Sequence, residues 1–279
     1  FDNYNFEDIS ISEPQAIDAG VVGINSPQLP ICAGTTNLAV DVKNFGTDTL
    51  NSVRVFWDIN GVLDSIVYTG QILPLGVQTV SLGNVTIVAN GLYDVKFYTK
   101  DPNGVVDQSP SNDSLIYFGL TTGMSGAYTI NSSIVTGGTN FQTFSDFAAN
   151  VGTFGLCGPI VVDVAAKATP YNEQVEFGTI QGASSTNTIT INGHNQTLAF
   201  GSANTNERAV LTFNDASWII VDSLNIDATG STYGWGIQNF GGAHHIMITN
   251  STIDVGAQNT SANFAGIVNS GSRTSPTAS

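Results

Sequence analysis

The chain has 279 residues, of which 7 are Lys or Arg and 22 are Asp or Glu, so a formal net charge of −15 rests on only 10% charged residues. That balance excludes most nucleic-acid binding, which needs clustered cations to displace counterions, and it argues against docking on anionic lipid. With 41% hydrophobic residues the chain is no charge-rich disordered tail either, and its 30 Gly, 15 Phe and two Met favour strands and turns over helices.

Residues 1–13 read as an N-terminal extension. They lack the basic start and apolar centre of a signal peptide. No run of about 18 apolar residues exists to span a membrane, and the missing initiator Met fits a processed or excised chain. Asn-x-Ser/Thr triplets at Asn84, Asn112, Asn131, Asn195, Asn250 and Asn259 are expected by chance in so Asn- and Thr-rich a sequence. Low Lys with abundant Asn, Thr and Ser suits a secreted surface. Cys32 and Cys157 lie 157 − 32 = 125 residues apart, too far for a local metal pair. They are either two separate buried thiols or a disulfide tying the N-terminal half to the C-terminal half. In the chain-entropy picture such a bridge contributes roughly 4–5 kcal/mol.

Residues 14–121 predict an antiparallel sandwich. Leu38, Val40 and Val42 alternate with Ala39, Asp41 and Lys43 up to Asn44-Phe45-Gly46. Val53, Val55 and Trp57 alternate up to the hairpin signal Asn60-Gly61. Runs follow at Ile66–Tyr68, at Val80 and Leu82, at Tyr93, Val95 and Phe97, and at Leu115–Phe118. Seven or so short strands, one carrying an inward Trp, describe an immunoglobulin-like β-sandwich. The strings CAGTTNLAVDVKNFGTDTLNSVRVFWDINGV and GLYDVKFYTKDPNGVVD resemble the CARDB-like adhesion modules of secreted Bacteroidota proteins. The resemblance rests on a strand, N-x-G, then a strand carrying W-x-x-N-G. It implies a non-catalytic spacer or binding unit. Asp101, Asn103 and Asp107 in the loop DPNGVVD offer oxygen ligands for Ca²⁺, or they simply form a turn.

Residues 122–279 predict a second, all-β domain. A Gly/Ser/Thr-rich connector (121–140) precedes one short helix, 143–150, with Thr143 and Asp146 at capping spacing, Phe144, Phe147, Ala148 and Val151 on one face, and Gly152 as its stop. The first rung begins at Gly158-Pro159. Ile219–Asp227 then returns 27 residues later as Ile246–Asp254, and Ile189–Asn192 precedes Ile219–Asp222 by 30. Val210 and Phe213 map by 27 onto Ile237 and Phe240, and Gly236–Asn239 maps by 30 onto Gly266–Asn269. Such a repeat predicts a right-handed parallel β-helix whose stacked coils share one core, with the helix capping its first edge. The segments FQTFSDFAANVGTFGLCGPIVVDV, YNEQVEFGTIQGASSTNTITING, WIIVDSLNI and HIMITNSTI resemble the parallel β-helix repeat proteins that Bacteroidota export to the cell surface. This resemblance implies the type IX secretion route and an extracellular structure. No sorting domain or capping pattern is visible before Ser279, so the sequence is expected to be the N-terminal part of a longer protein.

Parallel β-helices include pectate lyases and polygalacturonases. The best catalytic candidates are Asp227 and Asp254, which the 27-residue offset stacks on adjacent coils, about 4.8 Å apart. They are expected to cap turns, with a cation site or catalysis as alternatives. His244-His245 should point opposite ways along a strand and not share a metal. His194 falls in a turn, and Asn239 with Asn269 should stack as an amide ladder inside the solenoid. Tyr233 and Trp235 are candidates for stacking on sugar rings, or else pack in the core. No phosphate loop, nucleophile elbow or zinc pattern is present. No cofactor is expected beyond the candidate Ca²⁺. The combined expectation is a non-catalytic extracellular protein, a surface adhesin or filament subunit. It would self-associate or meet neighbouring surface proteins or polysaccharide, with no nucleic acid and no membrane insertion. The alternatives are a carbohydrate-active β-helix enzyme and a glycan-binding module.

Overall fold

The computed structural model describes residues 15–89, 91–230, 232–256 and 261–274. The extension read at residues 1–13 and the triplet at Asn259 lie outside them. The described residues form two compact units, one of 15–28 and 33–121, the other of Leu29–Cys32 and 122–274. No helix among the described residues is long and apolar enough to cross a membrane.

The first unit is an immunoglobulin-like sandwich. Strands β1 (Ala19–Ser26), β2 (Gly34–Asn44) and β5 (Val77–Ile87) form one antiparallel sheet in the order β1-β2-β5. Strands β3 (Leu50–Ile59), β4 (Val62–Ile72), β6 (Leu92–Lys100) and β7 (Ser114–Thr121) form the other, ordered β4-β3-β6-β7. The alternation sets which face turns inward: Val40 and Val42 on β2, and Val53 and Val55 on β3, are essentially unexposed. Each such buried aliphatic side chain contributes about 1.5–3 kcal/mol. Trp57 is only half-buried, and the buried Phe97 directly across from it on β6 is the large inward ring. Asn60 and Gly61, with φ of 51° and 83°, close the β3–β4 hairpin in the two-residue form that left-handed conformations permit. The N-x-G string is a buried clamp. Asn44 donates to the Asp48 and Ile72 carbonyls, and its Oδ1 accepts from Gly46 N.

The second unit is a parallel β-solenoid. Its strands are β8 (Met124–Ile130), β9 (Asn140–Phe141), β10 (Leu156–Val164), β11 (Tyr171–Asn172), β12 (Val175–Phe177), β13 (Ile189–Asn192), β14 (Thr197–Ala199) and β15 (Ala209–Asn214). The series continues with β16 (Ser217–Asp222), β17 (Asn225–Asp227), β18 (Gly234–Phe240), β19 (His244–Thr249), β20 (Ile253–Asp254) and β21 (Phe264–Asn269). Three sheets run along the stack, in the orders β19-β16-β13-β10-β8-β9, β11-β14-β17-β20 and β12-β15-β18-β21. Each coil places one strand in each sheet, so β10-β11-β12 is the first full coil and β19-β20-β21 the fourth. Ile160, Ile189, Ile219 and Ile246 stack in one column; the first three are unexposed and Ile246 packs against the same core.

Three sequence expectations are corrected here. The Gly/Ser/Thr-rich connector contains β8, which pairs in parallel with β10 and starts the first sheet. Helix α1 (Phe144–Phe154) runs through Gly152 and stops at Gly155, whose φ of 69° takes the left-handed turn. The third-sheet offset is also one residue shorter than read, since Leu211 pairs with Ile237 and Phe213 with Asn239. The cap itself forms at the expected residues, with Asp146 N donating to Thr143 Oγ1 at 2.9 Å. Phe144, Phe147, Ala148 and Val151 are buried in the solenoid core, and α1 packs on β12, the first strand of the third sheet.

Candidate functional sites

Cys32 and Cys157 are joined by a disulfide. It ties residues 29–32 of the N-terminal half to the C-terminal half, and both cysteines belong to the solenoid unit. The segment Leu29–Cys32 lies along the start of the solenoid: Ile31 bridges Thr122 in parallel, and Gly123 N donates to Ile31 O.

In the sandwich, the loop DPNGVVD does not gather its own oxygens. Asn103 Oδ1 accepts from Asn51 N and Ser52 N and its Nδ2 donates to Thr49 O, so the Asn fastens a turn to the start of β3. Asp101 sits in the left-handed region at the head of that turn. Asp107 instead turns away toward Asp18 and Asp113, and one carboxylate oxygen from each of the three lies within 4.8 Å of the others. Close approach is built into the backbone: a side chain at Gly20 would collide with Asn112 O, so glycine lets β1 lie against the loop that carries Asn112 and Asp113. Asp107 is oriented by Ala19 N and Ser109 N, which donate to its Oδ2 and Oδ1 at 2.9 and 2.8 Å. Asn112 Nδ2 donates to Asp18 Oδ2 at 3.2 Å.

The electrostatics of this cluster are unfavourable as they stand. Burial, then the charges of Asp107 and Asp18, pushes the Asp113 carboxyl up to about 6, against a weaker pull from Lys100. Burial likewise raises Asp18. Three enclosed oxygens, Asp18 Oδ1, Asn112 Oδ1 and Asp113 Oδ1, meet no hydrogen-bond donor. A buried acceptor left unpaired costs about 1–3 kcal/mol. Sequence reasoning missed Asp18 and Asp113. The only local signal is the polar run DQSPSND, which carries two of the three carboxylates and the amide.

On the solenoid, Asp227 and Asp254 do stand in register on adjacent coils. Asp227 Oδ1 accepts from Thr229 N and Asp254 Oδ1 from Gly256 N, each two residues on, so both close turns. Asn239 Nδ2 donates to Asn269 Oδ1 at 2.7 Å, in the same column as Phe177 and Phe213. His194 Nε2 lies 2.9 Å from Asp163 Oδ1. The expectation for His244-His245 is overturned: their Nδ1 atoms are 2.8 Å apart, and the His245 ring stacks on Trp218 at 3.8 Å. Trp218 and His245 have φ of 62° and 54°, and a left-handed residue in a strand breaks the alternation that would have separated the rings. Trp235 does not face solvent. It is fully buried, its Nε1 donates to Ala262 O, and the Arg208 guanidinium covers both its ring and that of half-buried Tyr233. The Trp235 ring offers no face for a sugar, and Arg208 occupies one face of Tyr233.

The outer side of the third sheet is strapped. Gln238 is 1% exposed, and its Nε2 lies within hydrogen-bond distance of Ser270 Oγ, Ser272 O and Arg273 O. Arg273 then reaches Glu176 on the first coil.

No family model matches the chain, and no curated protein matches it. Among solved structures it is similar to the CARDB domain of a Pyrococcus furiosus protein determined in solution, at 22% identity over 39% of this chain and 97% of that one, with a TM-score of 0.32. It is also similar to a crystal structure of the same archaeal domain in complex with di-metal ions, at 22% identity over 44% and 99%, with a TM-score of 0.30.

Proposed function

We propose that the chain is a non-catalytic structural or adhesive protein of an extracellular surface, a sandwich module followed by a solenoid shaft. The observation that carries this reading is how the solenoid uses its carboxylates. Asp163 is held by Asn192 and His194, Glu176 by Asn214 and Arg273, and Asp222 by Asn250, each across neighbouring or distant coils. Asp215 accepts from Thr179 Oγ1, and Glu173 accepts from Phe144 N and Ser145 N at the helix start, where a negative charge suits the dipole. Asp227 and Asp254 close turns. These acids fasten coil to coil. Glycoside hydrolysis needs two carboxylates free to flank a scissile bond. The disulfide supports an oxidising compartment, and stacked coils extend readily by association with themselves or with neighbouring surface proteins.

The test is incubation with a panel of neutral and acidic polysaccharides, monitoring new reducing ends and unsaturated products. No turnover is expected. Robust turnover that disappears in Asp254→Asn would replace this reading with a carbohydrate-active enzyme. Electron microscopy of native material is expected to show ordered fibres or a surface layer.

A further inference from the structure

We propose that Asp18, Asp107, Asp113 and Asn112 form a calcium site that fastens the lead-in to β1 onto the connection between β6 and β7. The site lies in the sandwich and is independent of the solenoid's proposed role, so the failure of either leaves the other standing.

The donor set is all oxygen: three carboxylates and one side-chain amide carbonyl. Oxygen-only sets select hard cations. Asp18 is 5% exposed, yet its Oδ1 meets no donor, and Asn112 Oδ1 beside it is equally enclosed and equally unpaired. Asn112 matters most to the inference. It is neutral, so crowding of like charge does not explain its unpaired oxygen, and its Nδ2 bond to Asp18 keeps the amide against the cluster. A proton on Asp113, donated to one neighbour, would pair two of the three oxygens and still leave one without a partner. Lys100 is not the missing partner, because its Nζ sits over the rings of Phe56 and Tyr98 at 5.8 and 5.6 Å. One cation, by contrast, serves all of these acceptors at once.

Size decides which cation. Ligands around Ca²⁺ lie at about 2.3–2.6 Å, so opposite oxygens stand about 4.6–5.2 Å apart. Around Mg²⁺, at about 2.0–2.1 Å, the limit is about 4.2 Å. The three carboxylate oxygens here lie within 4.8 Å of one another, inside the separation that opposite Ca²⁺ ligands reach, and a set that holds no room for several retained waters suits Ca²⁺ better than the reluctantly dehydrated Mg²⁺. Both oxygens of Asp107 already accept backbone N–H groups, so that ligand is oriented before any ion arrives. The loop is further tied down where Gln108 N donates to Ile17 O and Gln108 Oε1 accepts from Ile17 N.

The experiment uses the full chain, stripped with EDTA and dialysed into 150 mM NaCl so that diffuse binding to the acidic surface is screened. Calorimetric titration with CaCl₂ is expected to give one site per chain, in the range of about 10⁻⁵–10⁻³ M typical of weak sensors and extracellular modules. MgCl₂ should bind at least about tenfold more weakly. Scanning calorimetry in 10 mM Ca²⁺ should move one unfolding transition upward. Asp113→Asn removes a buried charge, so it should keep or raise the unfolding temperature without calcium while losing the saturable heat and the calcium shift. Asp18→Asn serves as a second variant with the same expected loss. Absence of saturable heat in folded wild type, or calcium binding that persists unchanged in both variants, overturns the proposal.

Discussion

Arg273 closes on Glu176 through two parallel hydrogen bonds, Nη1 to Oε2 at 2.7 Å and Nη2 to Oε1 at 2.8 Å, although 97 residues separate them. Glu176 belongs to the first coil and pairs through Thr212 and Gln238 to Val268 on the fourth. The chain that leaves the fourth coil therefore doubles back along the stack. Thr212 and Gln238, polar residues in that column, are each 1% exposed.

Removing the clasp should loosen the column without unfolding the solenoid. Both side chains of the pair remain about a third exposed, so solvent screening limits Arg273→Ala to about 0.5–1 kcal/mol. Amide hydrogen exchange should quicken up to about fivefold in β15 and β18, with little change in β10 or β13. Unchanged exchange in β15 and β18 would show that the strap is held by other contacts.

The same pair sets a pH dependence. Hydrogen bonds from Arg273, followed by Asn214, hold the Glu176 carboxyl below its ordinary value of 4.5, against an opposing push from burial. Because the folded state then binds fewer protons than the unfolded chain, this contribution is present above pH 4.5 and disappears as pH falls through the lowered folded value. Asp163 follows the same direction, lowered by Asn192 and then by His194. Denaturation midpoints between pH 6 and pH 3 should fall less steeply in Glu176→Gln than in wild type. Equal slopes would count against the assignment.

Helix α1 should matter through its apolar face more than through its cap. Phe147 is unexposed and packs against Phe141 and Phe177 at ring distances of 5.3 and 6.0 Å. Phe147→Ala is expected to cost about 3–5 kcal/mol by leaving a cavity at the head of the stack, whereas Thr143→Ala should cost about 1 kcal/mol. Urea unfolding of the two variants measures the difference. Similar losses from both would mean that the helix does not close the core.

The coils are legible in the sequence through the recurrence of like runs at offsets of 27 and 30 residues. Ile189, Ile219 and Ile246 announce their column because the runs they open recur 30 and 27 residues apart, and in Ile189-Thr190-Ile191 the alternation is visible as well. The third sheet was mis-phased by one residue because Ala209–Phe213 is buried throughout and offers no alternation to fix register. Strand β8 was hidden by its composition, Met-Ser-Gly-Ala-Tyr-Thr-Ile, whose small polar residues read as a linker. The histidine pair was misjudged because nothing in its sequence announces a left-handed residue within a strand. The acidic cluster was legible only in part. Asp107 was singled out, but the residues that meet it come from a segment 88 or so positions earlier and from the far side of a turn, which local spacing does not encode.

The disulfide carries a mechanical consequence. Tension arriving through residue 28 enters Leu29–Cys32 and passes directly to Cys157, because the sulfur–sulfur bond short-circuits everything between those cysteines. Strands β2 to β9 and helix α1 all lie inside that closed loop, so the backbone between the cysteines carries no tension; β1, which precedes Cys32, is loaded and pulls on the sandwich through its pairing with β2. Stretched by its two termini in single-molecule force spectroscopy, the oxidised protein should yield no contour length from residues 33–156. The reduced protein should release them, and identical extensions in both states would refute this. A tether of this design lets force strip β1 from the edge of its sheet while the rest of the sandwich, β2 to β7, cannot be drawn out.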